Sequence, residues 1–244
     1  MLSCDENTCS VCGFTEKVNY TAITSHKYET TYSHNASFHW LDCKYCDEIT
    51  SYAEHTVDDS GYCTVCNQPL APSVGVVYDV SADGTYAEVI AYNGTATKVV
   101  IASEYQGLPV KSIYNEAFKN SNITAVTIPD SVTTIGDYAF RSCSRLTSVV
   151  IGDSVEYIGD YAFYWCSSLT SVVIPDSVTT IGDYAFSNLK TVYYKGTAED
   201  WVKISIGYNN YNLTGATRYY YSETAPTASG KYWHYDAEGN AVIW

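Results

Sequence analysis

Basic charge, methionine and long apolar runs are what this sequence has least of. Only 13 of its 244 residues are Lys or Arg, against 27 Asp or Glu, giving a net charge of −14, and there is one methionine. Binding a nucleic acid or an anionic membrane takes clustered cations, so neither partner is expected. No stretch approaches the roughly 18 consecutive apolar residues that a membrane helix needs, and membrane insertion is not expected either. The opening MLSCDENTCS has no charged stretch followed by an apolar run, so no secretory leader is expected within it. There is no G-x-S-x-G, P-loop, G-x-G-x-x-G or H-E-x-x-H, and no catalytic residues are assigned.

What is present divides the chain in two. Seven of the nine cysteines and four of the five histidines lie in the first 66 residues. The change of composition at the QPLAP segment, Pro69 to Pro72, places a boundary there, with a Cys/His-rich module over residues 1–70. Residues 43–66 read C-x2-C, sixteen residues, C-x2-C, the spacing of a four-cysteine zinc site. Cys43, Cys46, Cys63 and Cys66 would offer four thiolates to a tetrahedral Zn²⁺. His55 between the knuckles, or His39 just before them, could replace one of these. A second knuckle, Cys9 and Cys12, has Cys4, His26, His34 and His39 as candidate partners, so one structural zinc is expected and a second is open. Disulfides or a redox C-x2-C remain alternatives for the same thiols. Residues 1–66 hold three lysines and no arginine against ten acids, which argues against a nucleic-acid-binding ribbon. A metal-stapled fold suits a segment with so few apolar residues.

From residue 125 onward one phrase recurs at a spacing of 23. Residues 125–140 read AVTIPDSVTTIGDYAF, 148–163 SVVIGDSVEYIGDYAF and 171–186 SVVIPDSVTTIGDYAF. The apolar positions of the first copy are Ile123, Val126, Ile128, Val132, Ile135, Ala139, Phe140 and Cys143. The L-x-x-V-x-I opening alternates as a strand, ended by proline or glycine, and S-V-T-T-I makes a second short extended piece. Gly-Asp in IGDYAF is read as a turn into one helical turn, with Asp137, Asp160 and Asp183 as N-caps. Eight buried side chains cannot offset the ordering of 23 residues, so each copy must stack on its neighbours. The expected fold is a β-rich solenoid with parallel strands, short helical turns and terminal caps. Residues 71–98, alternating around an SADG turn, are read as a capping hairpin. Residues 99–196 are read as the repeats, and 197–244 as a C-terminal cap with an aromatic tail. Cys143 and Cys166 are read as small buried hydrophobes, not a disulfide.

The phrase L-x-S-V-x-I-P-x-S-V-T-x-I-G-x-Y-A-F-x-x-C resembles the BspA-like (Treponema-type) leucine-rich repeat family. Leu146–Cys166 and Leu169–Phe186 carry the match, which extends roughly over residues 76–220. The ending SGKYWHYDAEGNAVIW and the N-terminal C-x2-C and H-x-W arrangement are similar to segments found with such repeats in gut-bacterial surface proteins. The resemblance implies a secreted or cell-surface protein used in adhesion to host proteins, other bacteria or glycans, with no shared catalytic residues.

The outward positions of L-x-x-V-x-I should carry any such binding. Ser148, Val150, Ser171, Val173, Thr191 and Tyr193 form an uncharged, hydroxyl-rich strip on what would be the concave sheet. The tyrosine file Tyr138, Tyr161 and Tyr184 and the tail aromatics are further candidates. The reading is a non-enzymatic extracellular binding protein, expected to be monomeric. Its alternative is a structural spacer in a larger surface protein.

Overall fold

In a computed structural model of the chain, residues 72–227, 229–236 and 240–244 are described, together with the backbones of five short strands between residues 4 and 54. The chain divides into two compact units, residues 1–58 with 62–70, and residues 59–61 with 71–244. In the first unit β1 (Cys4–Asp5) pairs antiparallel with β2 (Thr8–Cys9). Strands β3 (Ser33–His34), β4 (Phe38–Asp42) and β5 (Ile49–Glu54) form an antiparallel sheet in that order. The register sets Cys4 opposite Cys9 and His34 opposite His39.

The second unit opens with a hairpin, β6 (Val76–Val80) and β7 (Ala87–Tyr92). Its S-A-D-G turn closes through Gly84 N–H to Ser81 O, while the Asp83 carboxylate accepts from the Ser81 and Thr85 hydroxyls. Next come β8 (Lys98–Val100), β9 (Glu104–Tyr105) and β10 (Leu108–Ile113). Each following coil supplies two strands, one from S-V-x-I and one from T-I. These are β11 (Ala125–Thr127) and β12 (Thr134–Ile135), β13 (Ser148–Val150) and β14 (Tyr157–Ile158), β15 (Ser171–Ile174) and β16 (Thr180–Ile181). After β17 (Thr191–Tyr194) the chain makes α1 (Ala198–Trp201), β18 (Ser205–Ile206), α2 (Tyr211–Thr214), β19 (Thr217–Tyr221), β20 (Tyr232–Tyr235) and β21 (Ala241–Ile243).

The T-I strands join β6, β7 and β10 in one long sheet of order β18-β16-β14-β12-β10-β7-β6. The S-V-x-I strands form a second face in two pieces, β13-β11-β8 and β15-β17-β19-β20-β21. Coil-to-coil pairing is parallel throughout the repeats. All the apolar positions of the repeated phrase are buried, from Ile123 to Phe186, which is the pattern a stacked solenoid demands. Both ladders continue past residue 196. Strand β18 extends the long sheet and β19 extends the other, so the segment read as a cover for the last coil also lengthens the solenoid.

The IGDYAF turn is not a helical turn, which corrects the expectation. Tyr138, Tyr161 and Tyr184 have φ of 58°, 55° and 52°, outside the right-handed helix region. Alternate residues then divide their hydrogen bonds. Ala139, Arg141 and Cys143 donate within the turn, whereas Tyr138, Phe140 and Ser142 donate to Asp160, Ala162 and Tyr164 of the next coil. The aspartates do not cap their own turns either. The Asp160 N–H donates to Asp137 Oδ1 at 2.9 Å and the Asp183 N–H to Asp160 Oδ1 at 2.7 Å. The Asp137 N–H takes Asn115 Oδ1 below, and the Tyr208 N–H takes Asp183 Oδ1 above. Each carboxylate thus joins two coils. Inside this column Phe118, Phe140, Phe163 and Phe186 stack with ring centroids 4.8–5.1 Å apart.

Cys143 and Cys166 are buried free thiols. Their Sγ atoms donate to Phe118 O and Phe140 O, one coil back, so they act as weak hydrogen-bond donors as well as apolar filler. The neighbouring Cys143, and then burial, push the Cys166 thiol well above its ordinary value. It is not a reactive thiolate. In the segment that follows β18, Asn210 is only 3% exposed and takes the place of the next carbonyl in the phenylalanine column. Its Oδ1 accepts from Phe186 N–H, the bond that a next-coil carbonyl makes for Phe140 and Phe163, and its Nδ2 donates to Gly182 O.

Candidate functional site

Strand polarity fixes what the S-V-x-I face can present. Side chains alternate, so burying Val126, Val149, Val172 and Val192 leaves their neighbours outside. Parallel register then lines those neighbours up. Ala125, Ser148 and Thr127, Val150 pair across β11 and β13, and Ser171, Thr191 and Val173, Tyr193 across β15 and β17. Ser148 and Ser171 are exposed, Val150 is 54% exposed, and Val173, Thr191 and Tyr193 are half-buried.

Over this face runs a groove of about 860 Å³. It brings together Ser148, Val150, Ser171, Val173 and Tyr193; Thr191 is not part of its lining. One end is built by residues that the repeat pattern does not single out. Lys195 bonds Asp153 and lies 5.4 Å from the centre of the Tyr235 ring, and Tyr235, Asn240 and Ala241 of the β20–β21 hairpin overhang the opening. Burial pulls the Lys195 ammonium down, but hydrogen bonds to Asp153 and the Tyr235 oxygen outweigh it and hold the group above its ordinary value. A cation is therefore fixed at that end beside one carboxylate. Asp153 is itself placed by the repeat, since its N–H donates to Asp130 Oδ1 at 2.7 Å. Lys195 and Tyr235 lie outside the repeated phrase, and only the pairing of β19 with β20 carries Tyr235 to the groove. The available signal was the lone lysine directly after the last S-V-x-I-type strand.

Tyr193 is less free than its position implies. Its ring stacks on Tyr219 at 5.7 Å and meets Trp233 edge-on at 5.6 Å. Trp233 is fully buried and donates through Nε1 to Tyr194 O, so much of the aromatic tail is end cap. His234 stacks on Trp244 at 3.8 Å. The tyrosine file is real as a contact: Tyr138, Tyr161 and Tyr184 stack at 5.0 and 4.8 Å.

The metal-ligand candidates Cys12, Cys43, Cys46, Cys63, Cys66, His26 and His55 lie outside the described residues, and of Cys9 and His39 only the backbone is described. Among the described residues no group of His, Cys, Asp and Glu is arranged to hold a metal. None of the described helices is long and apolar enough to cross a membrane.

Comparison with known proteins follows the repeats. Residues 110–212 match the family described as BspA type leucine rich repeat region, in 6 copies, and the repeats of this chain are of that type. Among solved structures, a leucine-rich repeat protein from Bacteroides capillosus is similar at 32% identity over 52% of this chain and 98% of its own, with a TM-score of 0.47. The T. pallidum leucine rich repeat protein is 25% identical over 62% of this chain and 86% of its own, with a TM-score of 0.44. A leucine-rich repeat protein from Bacteroides ovatus is 25% identical over 60% of this chain but only 39% of its own, with a TM-score of 0.48. No curated protein sequence matches.

Proposed function

We propose that this chain is a non-enzymatic, secreted or cell-surface binding protein whose S-V-x-I face grips an extended segment of a partner protein, in the manner of an adhesin. The observation that carries the reading is the groove over β11, β13, β15 and β17. Exposed Val150 and half-buried Val173 give it an apolar floor, hydroxyls from Thr147, Ser148 and Ser171 border it, and the Lys195–Asp153 pair closes one end. An apolar floor with a few placed polar groups is what a recognition site offers. The BspA-type repeats support it, because proteins built from them are commonly binding modules displayed at surfaces.

The test is binding of the purified chain to immobilised extracellular-matrix proteins and mucins. Saturable binding that is lost in a Val150→Lys, Val173→Lys variant of unchanged melting temperature is the expected result. Tyr193 is left intact, because Lys there would also remove its contacts with Tyr219 and Trp233. Binding that survives both substitutions overturns the assignment of the groove. Silence across the panel leaves a spacer in a larger surface protein as the better description.

A further inference from the structure

A second groove, of about 820 Å³, lies on a different edge of the coils, where the turn after each Phe column reaches solvent. Trp165 stands at its rim with 59% of its surface exposed, and Tyr211 stands at the other end with 77%. Between them the lining is neutral and polar, with Ser144, Ser167, Asn188 and Asn212. The amide nitrogens of Asn188 and Asn212 donate to Ser167 O and Ser187 O, which fixes both amides and leaves their oxygens to accept from a ligand.

Trp165 is an exposed aromatic at a position that earlier coils fill with small polar residues. It occupies the left-handed backbone position, φ 59°, that Asn120 and Ser142 occupy at 62° and 63° in earlier coils. Asparagine is favoured there, whereas a bulky aromatic residue carries a backbone cost, as Tyr138, Tyr161 and Tyr184 also do in the preceding turn. Burial does not recover the cost, since the ring is mostly in water. Instead the surroundings hold the ring in position. Its backbone N–H donates to Ser187 Oγ at 2.9 Å, and against the ring itself Tyr164 stacks at 5.5 Å and the Arg141 guanidinium lies 5.9 Å from the ring centre, with Tyr164 wedged edge-on against Tyr161 and Tyr184. An unfavourable residue, braced from behind and presented to solvent, points from strain to function.

We infer that this groove is a binding site for a neutral carbohydrate chain, with Trp165 and Tyr211 as its stacking platforms. The C–H faces of a pyranose pack on aromatic rings, while its hydroxyls need amide and hydroxyl partners in the plane between, and the lining supplies both. The lining holds no carboxylate or ammonium, the Arg141 guanidinium is already engaged over the Trp165 ring, and the chain's net charge of −14 disfavours a polyanionic glycan. The groove crosses successive coils, from Ser144 through Ser167 and Asn188 to Asn212, so it fits an oligosaccharide and not a single sugar. It shares no lining residue with the groove over the sheet and stands whether or not that groove takes a protein.

The test is calorimetric titration of the full chain with cellohexaose, xylohexaose and mannohexaose, and with an oligogalacturonate as the charged comparison. Saturable binding of at least one neutral hexasaccharide is expected. It should weaken about tenfold or more in Trp165→Ser and in Tyr211→Ser, and be unchanged in Val150→Lys. Trp165→Ser restores the residue of the preceding coil, so its melting temperature should equal or exceed the parent's. No binding of any neutral hexasaccharide at millimolar concentration overturns the inference. So does equal binding by both serine variants, a preference for the galacturonate, or a lowered melting temperature in Trp165→Ser, which would make the ring structural.

Discussion

Replacing Gly159 by alanine adds one methyl group and should separate two coils. The glycines of the I-G-D column, Gly136, Gly159 and Gly182, do not sit at positive φ, so it is proximity and not backbone freedom that selects them. A Cβ on Gly159 would lie 2.6 Å from the Gly136 carbonyl carbon, 2.7 Å from Asp137 N and 2.6 Å from Asp137 Oδ1. Two of these three atoms are backbone and cannot rotate away. The coils must part, and the bonds that join them at this level, Asp160 N–H to Asp137 Oδ1 and Tyr138 N–H to Asp160 O, lengthen together. Overpacking costs about 1–3 kcal/mol, and rigid backbone neighbours place this site toward the upper end. Against that, Gly→Ala stiffens the unfolded chain and returns about 0.4–1 kcal/mol. The net loss should be about 2 kcal/mol, or about 4–8 °C in melting temperature for a unit of this size. Thermal unfolding by circular dichroism measures it, and amide exchange at Asp160 and Tyr138 locates it. Adding Asp137→Ala removes only the side-chain atom, so the double variant should recover little. An alanine variant as stable as the parent would refute the close-approach argument. Full recovery in the double variant would show that the carboxylate alone, not the backbone, was the obstacle.

Phe163→Ala should cost about 3–5 kcal/mol in urea unfolding, because it empties the middle of the phenylalanine stack and leaves Phe140 and Phe186 without a shared neighbour. Asp200, at the start of α1, is held down to about 2 from an ordinary 3.8 by hydrogen bonds from Lys203 and Thr197. A carboxyl lowered by folding stabilises the protein above its ordinary pKa, and that contribution is lost as pH falls through about 2. Asp200→Asn should therefore flatten the acid limb between those values, read from the near-ultraviolet signal of Trp201; an unchanged limb would count against the linkage. The paired C-x2-C knuckles predict an equivalent of zinc per chain after purification without chelator, lost in Cys43→Ser and Cys63→Ser variants. Elemental analysis showing less than half an equivalent would leave disulfides as the reading of those cysteines.

The core was legible because its signal is repeated. The positions from Ile123 to Phe186 recur at one spacing, and burial at each follows from stacking alone. The turn was harder. A Gly-Asp before an aromatic segment satisfies the local rules for a helix N-cap, and nothing within one copy contradicts them. What decides the matter is the next coil, whose aspartate amide donates to the carboxylate. The available clue was that aspartate recurs at the same place in every copy and always behind a glycine. The groove over the sheet was half legible. Val150 and Val173 follow from strand alternation, but Tyr235 reaches it across more than eighty residues through a pairing that no local pattern encodes. Trp165 was hidden for the opposite reason. It falls at a position where the repeat has no consensus, and attention to the consensus passes over it.

Solenoid architecture explains why the departures matter more than the consensus. In each coil the inward side chains are committed to the neighbouring coils, and so are the main-chain groups of both sheets and of the turn column. Changing any of them is felt along the stack. The outward positions carry no such obligation, so a large apolar residue exposed there is available to a partner. Val150, more than half exposed on a strand, and Trp165, exposed at a left-handed position, are such residues. They lie in separate grooves with no common lining residue, so their substitutions should add independently. A Val150→Lys, Trp165→Ser double variant should then lose both binding activities and keep the fold. If it unfolds where neither single variant does, the two residues are coupled through the coil, and the separation between a repeated scaffold and its displayed surface does not hold.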